Sequence, residues 1–85
     1  MKQKISELQK EIDKIDETLI NCLDKRADLV IAIGKIKKEN NLPIFNKDRE
    51  KEIFRKIERA KNNRNILRIF KKIIEESRKI QGKIR

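Results

Sequence analysis

Two cations stand where the helical period asks for apolar side chains. Steps of four and three residues run through Leu19, Leu23, Arg26, Val30, Ile33 and Lys37, so Arg26 and Lys37 interrupt an apolar stripe. Their separation of 11 residues is close to three whole turns, which puts both on one face. Extended backwards by the same steps, the stripe passes Asp16 and Ile12 to Gln9. A later stripe, Leu67, Phe70, Ile74, Ser77, Gln81 and Ile84, carries a hydroxyl and an amide one above the other. Arg49 and Glu50 lie one turn before the apolar group Ile53, Phe54 and Ile57. Each of these has an ordinary reading alone: a cation snorkels from the stripe edge, a serine bonds its own backbone, an Arg–Glu pair sits on a solvated face. As a set they read differently, because a buried cation is costly unless it is paired. Two cations, an amide, a hydroxyl and an Arg–Glu pair inside a helical bundle suit a small polyanion that also offers hydroxyl or ether oxygens.

The elements that must position these groups are helices. Apolar residues keep a spacing of three and four from Ile5 to Ile36, which predicts one long amphipathic helix from about Lys4 to about Asn40. Gly34 lies inside it, at a cost of ~1 kcal/mol against Ala. The run Asn40-Asn41-Leu42-Pro43 ends it, since a residue before proline disfavours the α conformation. A second helix fits Lys47 to about Lys61, with Asn46 as N-cap and Asp48 in the first turn. Asn62-Asn63 reads as a short turn, and a third helix fits about Asn65 to Lys83. No strand pattern, repeat or low-complexity segment is present, so residues 1–85 read as a single all-α domain.

A first helix of this size is ~55 Å long, whereas a compact chain of this length has a radius of gyration of only ~12 Å. The two shorter helices cannot cover its whole apolar face. A second copy of the chain is expected to do so, giving an intertwined homodimeric helical bundle.

Composition narrows the function. The chain of 85 residues has 24 Lys and Arg against 14 Asp and Glu, a net charge of +10. Residues 1–46 carry 9 basic and 8 acidic side chains, and residues 47–85 carry 15 and 6, so the surplus lies almost wholly in the second part. It suits an anionic ligand or surface. With no His and one Cys, a zinc site, a Cys–His nucleophile and an internal disulfide framework are not expected. No apolar run approaches a membrane span and the N-terminus lacks a signal-peptide core, so a soluble, cytoplasmic protein is expected. Cys22 reads as a small packing residue, Glu75 and Glu76 as a solvated or ion-paired face, and Asp13 and Asp16 as exposed partners of Lys14 or Lys10, with orientation of an active-site cation the alternative for Asp16.

The ordered series resembles the all-α (AroQ-type) chorismate mutases over nearly the whole chain. The matching stretches are Ile12-Asp13-Lys14-Ile15-Asp16, Arg26 followed by Gly34-Lys35-Ile36-Lys37, Pro43-Ile44 with Asn46 to Glu50, and Ile73-Ile74-Glu75-Glu76-Ser77 with Gln81. The resemblance implies a homodimer of three-helix chains with two shared active sites and the conversion of chorismate to prephenate, toward phenylalanine and tyrosine. It also implies roles. Arg26 binds the ring carboxylate, with Ser77 nearby. Lys37 bridges the enolpyruvyl carboxylate and the ether oxygen, and Gln81 donates to the same oxygen. Glu50 accepts from the ring hydroxyl, helped by the backbone N–H of Asn46, while Arg49 supports the carboxylate-binding face. This Claisen rearrangement is intramolecular and calls for no nucleophile, metal or redox cofactor. Three departures from the family pattern stand out. Gln9 occupies the place of an arginine that reaches into the partner chain's site, Asn46 stands where Asp is common, and the connection between the second and third helices is short.

Two other readings compete. An isochorismate-pyruvate lyase uses the same scaffold and a similar cationic site. A basic helical module for nucleic acid or acidic protein would use the surplus charge, but Phe45, Phe54 and Phe70 read as packing residues rather than base-stacking ones, and no nucleic-acid motif is present. A nucleic-acid partner is therefore not expected.

Overall fold

A computed structural model describes residues 1–84 as three helices: α1 (Lys2–Glu39), α2 (Lys47–Glu58) and α3 (Asn63–Ile84). No strand occurs among the described residues. No helix among them is long and apolar enough to cross a membrane. Both α1 and α2 pack on α3. The chain measures 57 × 23 × 14 Å with a radius of gyration of 16.4 Å, well above the ~12 Å of a compact chain of this length.

The core explains that shape. Val30 of α1, Ile57 of α2 and Ile74 of α3 are its buried apolar side chains. Every residue from Met1 to Lys25 is exposed. Ile5, Leu8, Ile12, Ile15, Leu19 and Leu23 thus lie along a bare face, between 42% and 59% exposed. Burying an aliphatic side chain of this size contributes ~1.5–3 kcal/mol, so one chain leaves much of its available stabilisation unused.

The end of α1 differs in mechanism from the proline effect expected. Asn41 adopts a left-handed conformation, φ 55°. Its N–H donates to the Lys38 carbonyl, and the Leu42 N–H donates to the Lys37 carbonyl at 2.8 Å. Together these bonds are a Schellman motif, with asparagine in the position glycine usually takes. Lys37 and Lys38 in the last turn also complement the negative end of the helix. The chain therefore turns back sharply and brings the Ile44 carbonyl to Lys37.

At α2 the Asn46 side chain accepts from the Arg49 N–H at 3.1 Å, and Asp48 and Glu50 occupy the first turn. The helix stops at Glu58, short of the expected Lys61, and α3 starts at Asn63, two residues ahead of the expected Asn65. Asn63 is thus helical rather than part of the turn, and its amide donates to the Glu58 carbonyl at 3.4 Å, covering an open end of α2.

Two minor expectations change. Cys22 is exposed in the single chain, because the half of α1 that carries it has nothing packed on it. Among the described residues Asp13 and Asp16 have no ion pair. Glu75 and Glu76 do pair, with Lys72 and Lys79 on the α3 surface at 3.4–3.5 Å. The Lys79 hydrogen bond holds Glu76 below the usual carboxylate range, and Lys79 is raised in turn.

Gly34 carries more than a propensity cost. A Cβ built there would meet Ile84 Cδ1 at 2.9 Å and Gln81 Cγ at 3.0 Å. The missing side chain is what lets α3 approach α1 beside Gln81. Gly34→Ala is expected to displace Gln81 by a few tenths of an ångström. Thermal melting should change little, since the crowding is offset by ~1 kcal/mol of helix propensity, whereas kcat should fall about tenfold if Gln81 has the role the resemblance implies, because reacting groups tolerate little misplacement.

Candidate active site

Helices α1 and α3, the α1–α2 turn and the start of α2 enclose a cleft of about 360 Å³. Arg26, Lys37, Asn46, Arg49, Glu50, Ser77 and Gln81 all line it, with Val30, Ile33, Ile44, Ile53 and Ile74 as apolar walls. Seven of the eight residues singled out in the sequence thus meet in one place. The eighth, Gln9, does not. It lies 17 residues before Arg26 on the same straight helix, about 25 Å away along the axis.

Each polar side chain is held by a local feature. Arg26 donates through a terminal guanidinium nitrogen to Ser77 Oγ, and Ser77 donates in turn to the Ile73 carbonyl at 2.8 Å. Burial pushes Arg26 below the ordinary arginine pKa, and the nearness of Arg49 adds to the shift. Two guanidinium groups held close in a partly desolvated wall favour an anion between them. Arg49 itself is exposed and pairs with Glu52 at 3.2 Å.

Lys37 Nζ donates to the Ile44 carbonyl at 2.9 Å. An ammonium has three N–H groups, so two remain for a ligand. Gln81 is the buried polar residue of the core, and its Nε2 donates to the Val30 carbonyl at 3.1 Å. That bond fixes the amide orientation and leaves its second N–H available. No buried side-chain nitrogen or oxygen lacks a partner among the described residues.

One cleft residue was missed in the sequence. Arg78 lines the cleft, donates to Glu50 and lies over the Phe45 ring, 4.6 Å from its centroid. Its spacing held the signal: four residues after Ile74 and three before Gln81 place it on the same helical face as both. Phe45, expected as packing, is 52% exposed and serves as the platform for this cation.

A second groove, of about 420 Å³, lies on the far side of the Arg26–Ser77 contact, walled by Leu23, Ala27, Ile69, Ile73 and Ile80. Of its charged members, Lys72 and Glu76 pair with each other and Arg26 is bonded to Ser77, so it offers little to a dianion. Among the described residues no group of three or more His, Cys, Asp or Glu side chains is placed to hold a metal ion.

The fold and the cleft together define a class: a three-helix scaffold that presents fixed cations and amide donors to a small anion between its helices. The chorismate mutase type II family model matches residues 8–82, and the chain belongs to that family. It is 37% identical, over 98% of its length, to a bifunctional chorismate mutase/prephenate dehydratase of Aquifex aeolicus, and spans 25% of that protein. A chorismate mutase of Methanocaldococcus jannaschii is 29% identical, with 95% of this chain and 87% of that protein covered. The solved structure of a conserved hypothetical protein from Pyrococcus furiosus superposes with a TM-score of 0.80 at 45% identity, covering 92% of this chain and 95% of that one.

Proposed function

We propose that this chain is a cytoplasmic chorismate mutase, active as an intertwined homodimer, that converts chorismate to prephenate without a cofactor. The observation that carries the proposal is the convergence of Arg26, Lys37, Glu50 and Gln81 on one cleft of small-molecule size. Arg26, with Ser77 beside it, takes the ring carboxylate. Lys37 takes the enolpyruvyl carboxylate, and Lys37 and Gln81 both donate to the ether oxygen. Glu50 accepts from the ring hydroxyl, with the backbone N–H of Asn46 alongside, and Arg49 adds charge at the mouth. Holding both ends of the substrate selects its chair-like conformer, which removes much of the entropic barrier. As the C–O bond breaks, negative charge grows on the ether oxygen, where two donors already point. The carbon–carbon bond forms within the same molecule, so no side chain needs to gain or lose a proton.

The bare face of α1 between Ile5 and Leu23 supports the dimer. A second α1 laid against it covers that face and is the only route by which a Gln9 reaches the cleft. Light scattering should then report twice the chain mass of 10.2 kDa. Gln9 donates a hydrogen bond but brings no charge to a dianion. Gln9→Arg is therefore expected to lower KM several-fold, since a charge-assisted contact is roughly twice as strong as a neutral one. An unchanged KM would show that another cation already fills the role.

Incubation with chorismate, followed by the loss of its ultraviolet absorbance and by product analysis, tests the activity. Prephenate is the expected product. Release of pyruvate from isochorismate, with chorismate untouched, would support the lyase reading instead. No turnover of either at millimolar substrate would overturn the proposal.

A further inference from the structure

The cleft contains one ion pair whose members come from different elements, and its cation has no role in the reaction as derived above. Arg78 of α3 reaches across to Glu50 of α2, donating through both Nε (3.1 Å) and a terminal nitrogen to the single oxygen Oε2. Glu50 Oε1 has no partner among the described residues. The Glu50 side chain is 18% exposed and that of Arg78 44%, so the pair is less screened than the more exposed Arg49–Glu52 contact. The guanidinium carbon also lies over the Phe45 ring, 4.6 Å from its centroid, and Phe45 belongs to the turn between α1 and α2. One side chain thus ties together three segments of the cleft wall: the turn, the start of α2 and α3.

Resting on the chorismate mutase reading of this site, we propose that Arg78 is a positioning residue, which clamps the Glu50 carboxylate by Oε2 so that Oε1 alone is presented to a hydroxyl of the bound dianion, and which closes the cleft mouth by stacking on Phe45. The geometry favours a role through Glu50 over a second carboxylate contact. Two of its five N–H groups already serve Glu50 and its central carbon lies over the Phe45 ring, so the guanidinium is tied to Glu50 before any ligand arrives. An unclamped glutamate samples several rotamers, and a carboxylate in the cleft with no cation beside it repels the substrate's own carboxylates. The clamp removes both penalties, and it does so equally in the ground state and in the transition state. The hydroxyl held by Glu50 does not change charge during the rearrangement. Loss of the clamp therefore raises KM and leaves kcat nearly intact, the mark of uniform binding. Loss of Gln81 acts in the opposite way, and loss of Lys37, which also holds a carboxylate, lowers kcat as well as raising KM.

The test is a double-mutant cycle on the 85-residue chain with chorismate, run beside calorimetric binding of a rigid bicyclic dicarboxylate that mimics the chair-like transition state. Arg78→Leu is expected to raise KM about tenfold, the scale of one charge-assisted contact, with kcat within a factor of about two. Arg78→Lys keeps the charge but not the fork or the stack, and should recover only part of the loss. In a Glu50→Gln background Arg78→Leu should change KM less than twofold, because its route to the substrate is already gone. Circular dichroism and light scattering on each variant separate these effects from unfolding. Wild-type kinetics from Arg78→Leu, or an effect that adds in full to that of Glu50→Gln, would overturn the clamp while leaving the mutase reading intact. A wild type that neither turns over chorismate nor binds the mimic would overturn the reading of the site and the clamp with it.

Discussion

Lys37→Ala should lower kcat by ~10²–10³, the usual cost of removing one preorganised donor to a developing oxyanion, while the protein stays folded. The expectation rests on how Lys37 is held. It is the third residue from the end of α1, its own carbonyl is bonded by Leu42 N–H, and its Nζ is bonded to the Ile44 carbonyl. The ammonium is therefore fixed before substrate arrives and needs no reorganisation when charge grows on the ether oxygen. Little of the fold depends on the Nζ contact, because the Schellman bonds that end the helix are made by backbone alone. Steady-state kinetics with chorismate, together with circular dichroism, check this. A variant within tenfold of wild-type kcat would show that Lys37 does not face the breaking bond.

Gln81→Leu should separate activity from stability more sharply. Gln81 is a buried amide whose partner, the Val30 carbonyl, also belongs to the backbone ladder of α1. Replacing a buried polar group by an apolar one of similar shape, when its partner keeps another bond, is close to neutral for folding. The melting temperature should therefore hold or rise slightly. Activity should not: on the proposed reading the second donor to the ether oxygen is gone, and kcat should fall ~10²-fold or more. A variant that melts normally and retains wild-type turnover would assign Gln81 to packing alone.

Much of this arrangement was legible in the sequence, for a physical reason. Arg26, Lys37, Ser77 and Gln81 break otherwise regular apolar stripes, and helical periodicity alone places them on facing sides of α1 and α3. The features that were not legible depend on contacts between segments far apart in the chain. Gly34 reads locally as a weak helix residue, and its meaning appears only where Gln81 and Ile84 crowd against it. Arg78 reads as one more surface cation until Glu50 and Phe45 are seen beside it. The turn between α2 and α3 is read two residues too late at its far end, because Asn63 turns its side chain back to Glu58 while its backbone already belongs to α3. The left-handed Asn41, not Pro43, closes α1, since an asparagine side chain tolerates a conformation most residues avoid.

Gln9 marks the boundary of what a single chain supplies. Its place on the stripe follows from the same period as Arg26 and Lys37, yet it stands on a half of α1 that is exposed throughout. Its role exists only if a second α1 lies against the first, which is why mass in solution and the Gln9→Arg kinetics belong together as tests.

The most direct test of the central claim is a crystal structure of the protein with a rigid bicyclic dicarboxylate that mimics the chair-like transition state. The ether oxygen of the mimic should lie within hydrogen-bond distance of both Lys37 Nζ and Gln81 Nε2, with one carboxylate against Arg26 and the hydroxyl on Glu50. A mimic seated outside this cleft, or one whose ether oxygen faces neither Lys37 nor Gln81, would contradict the account.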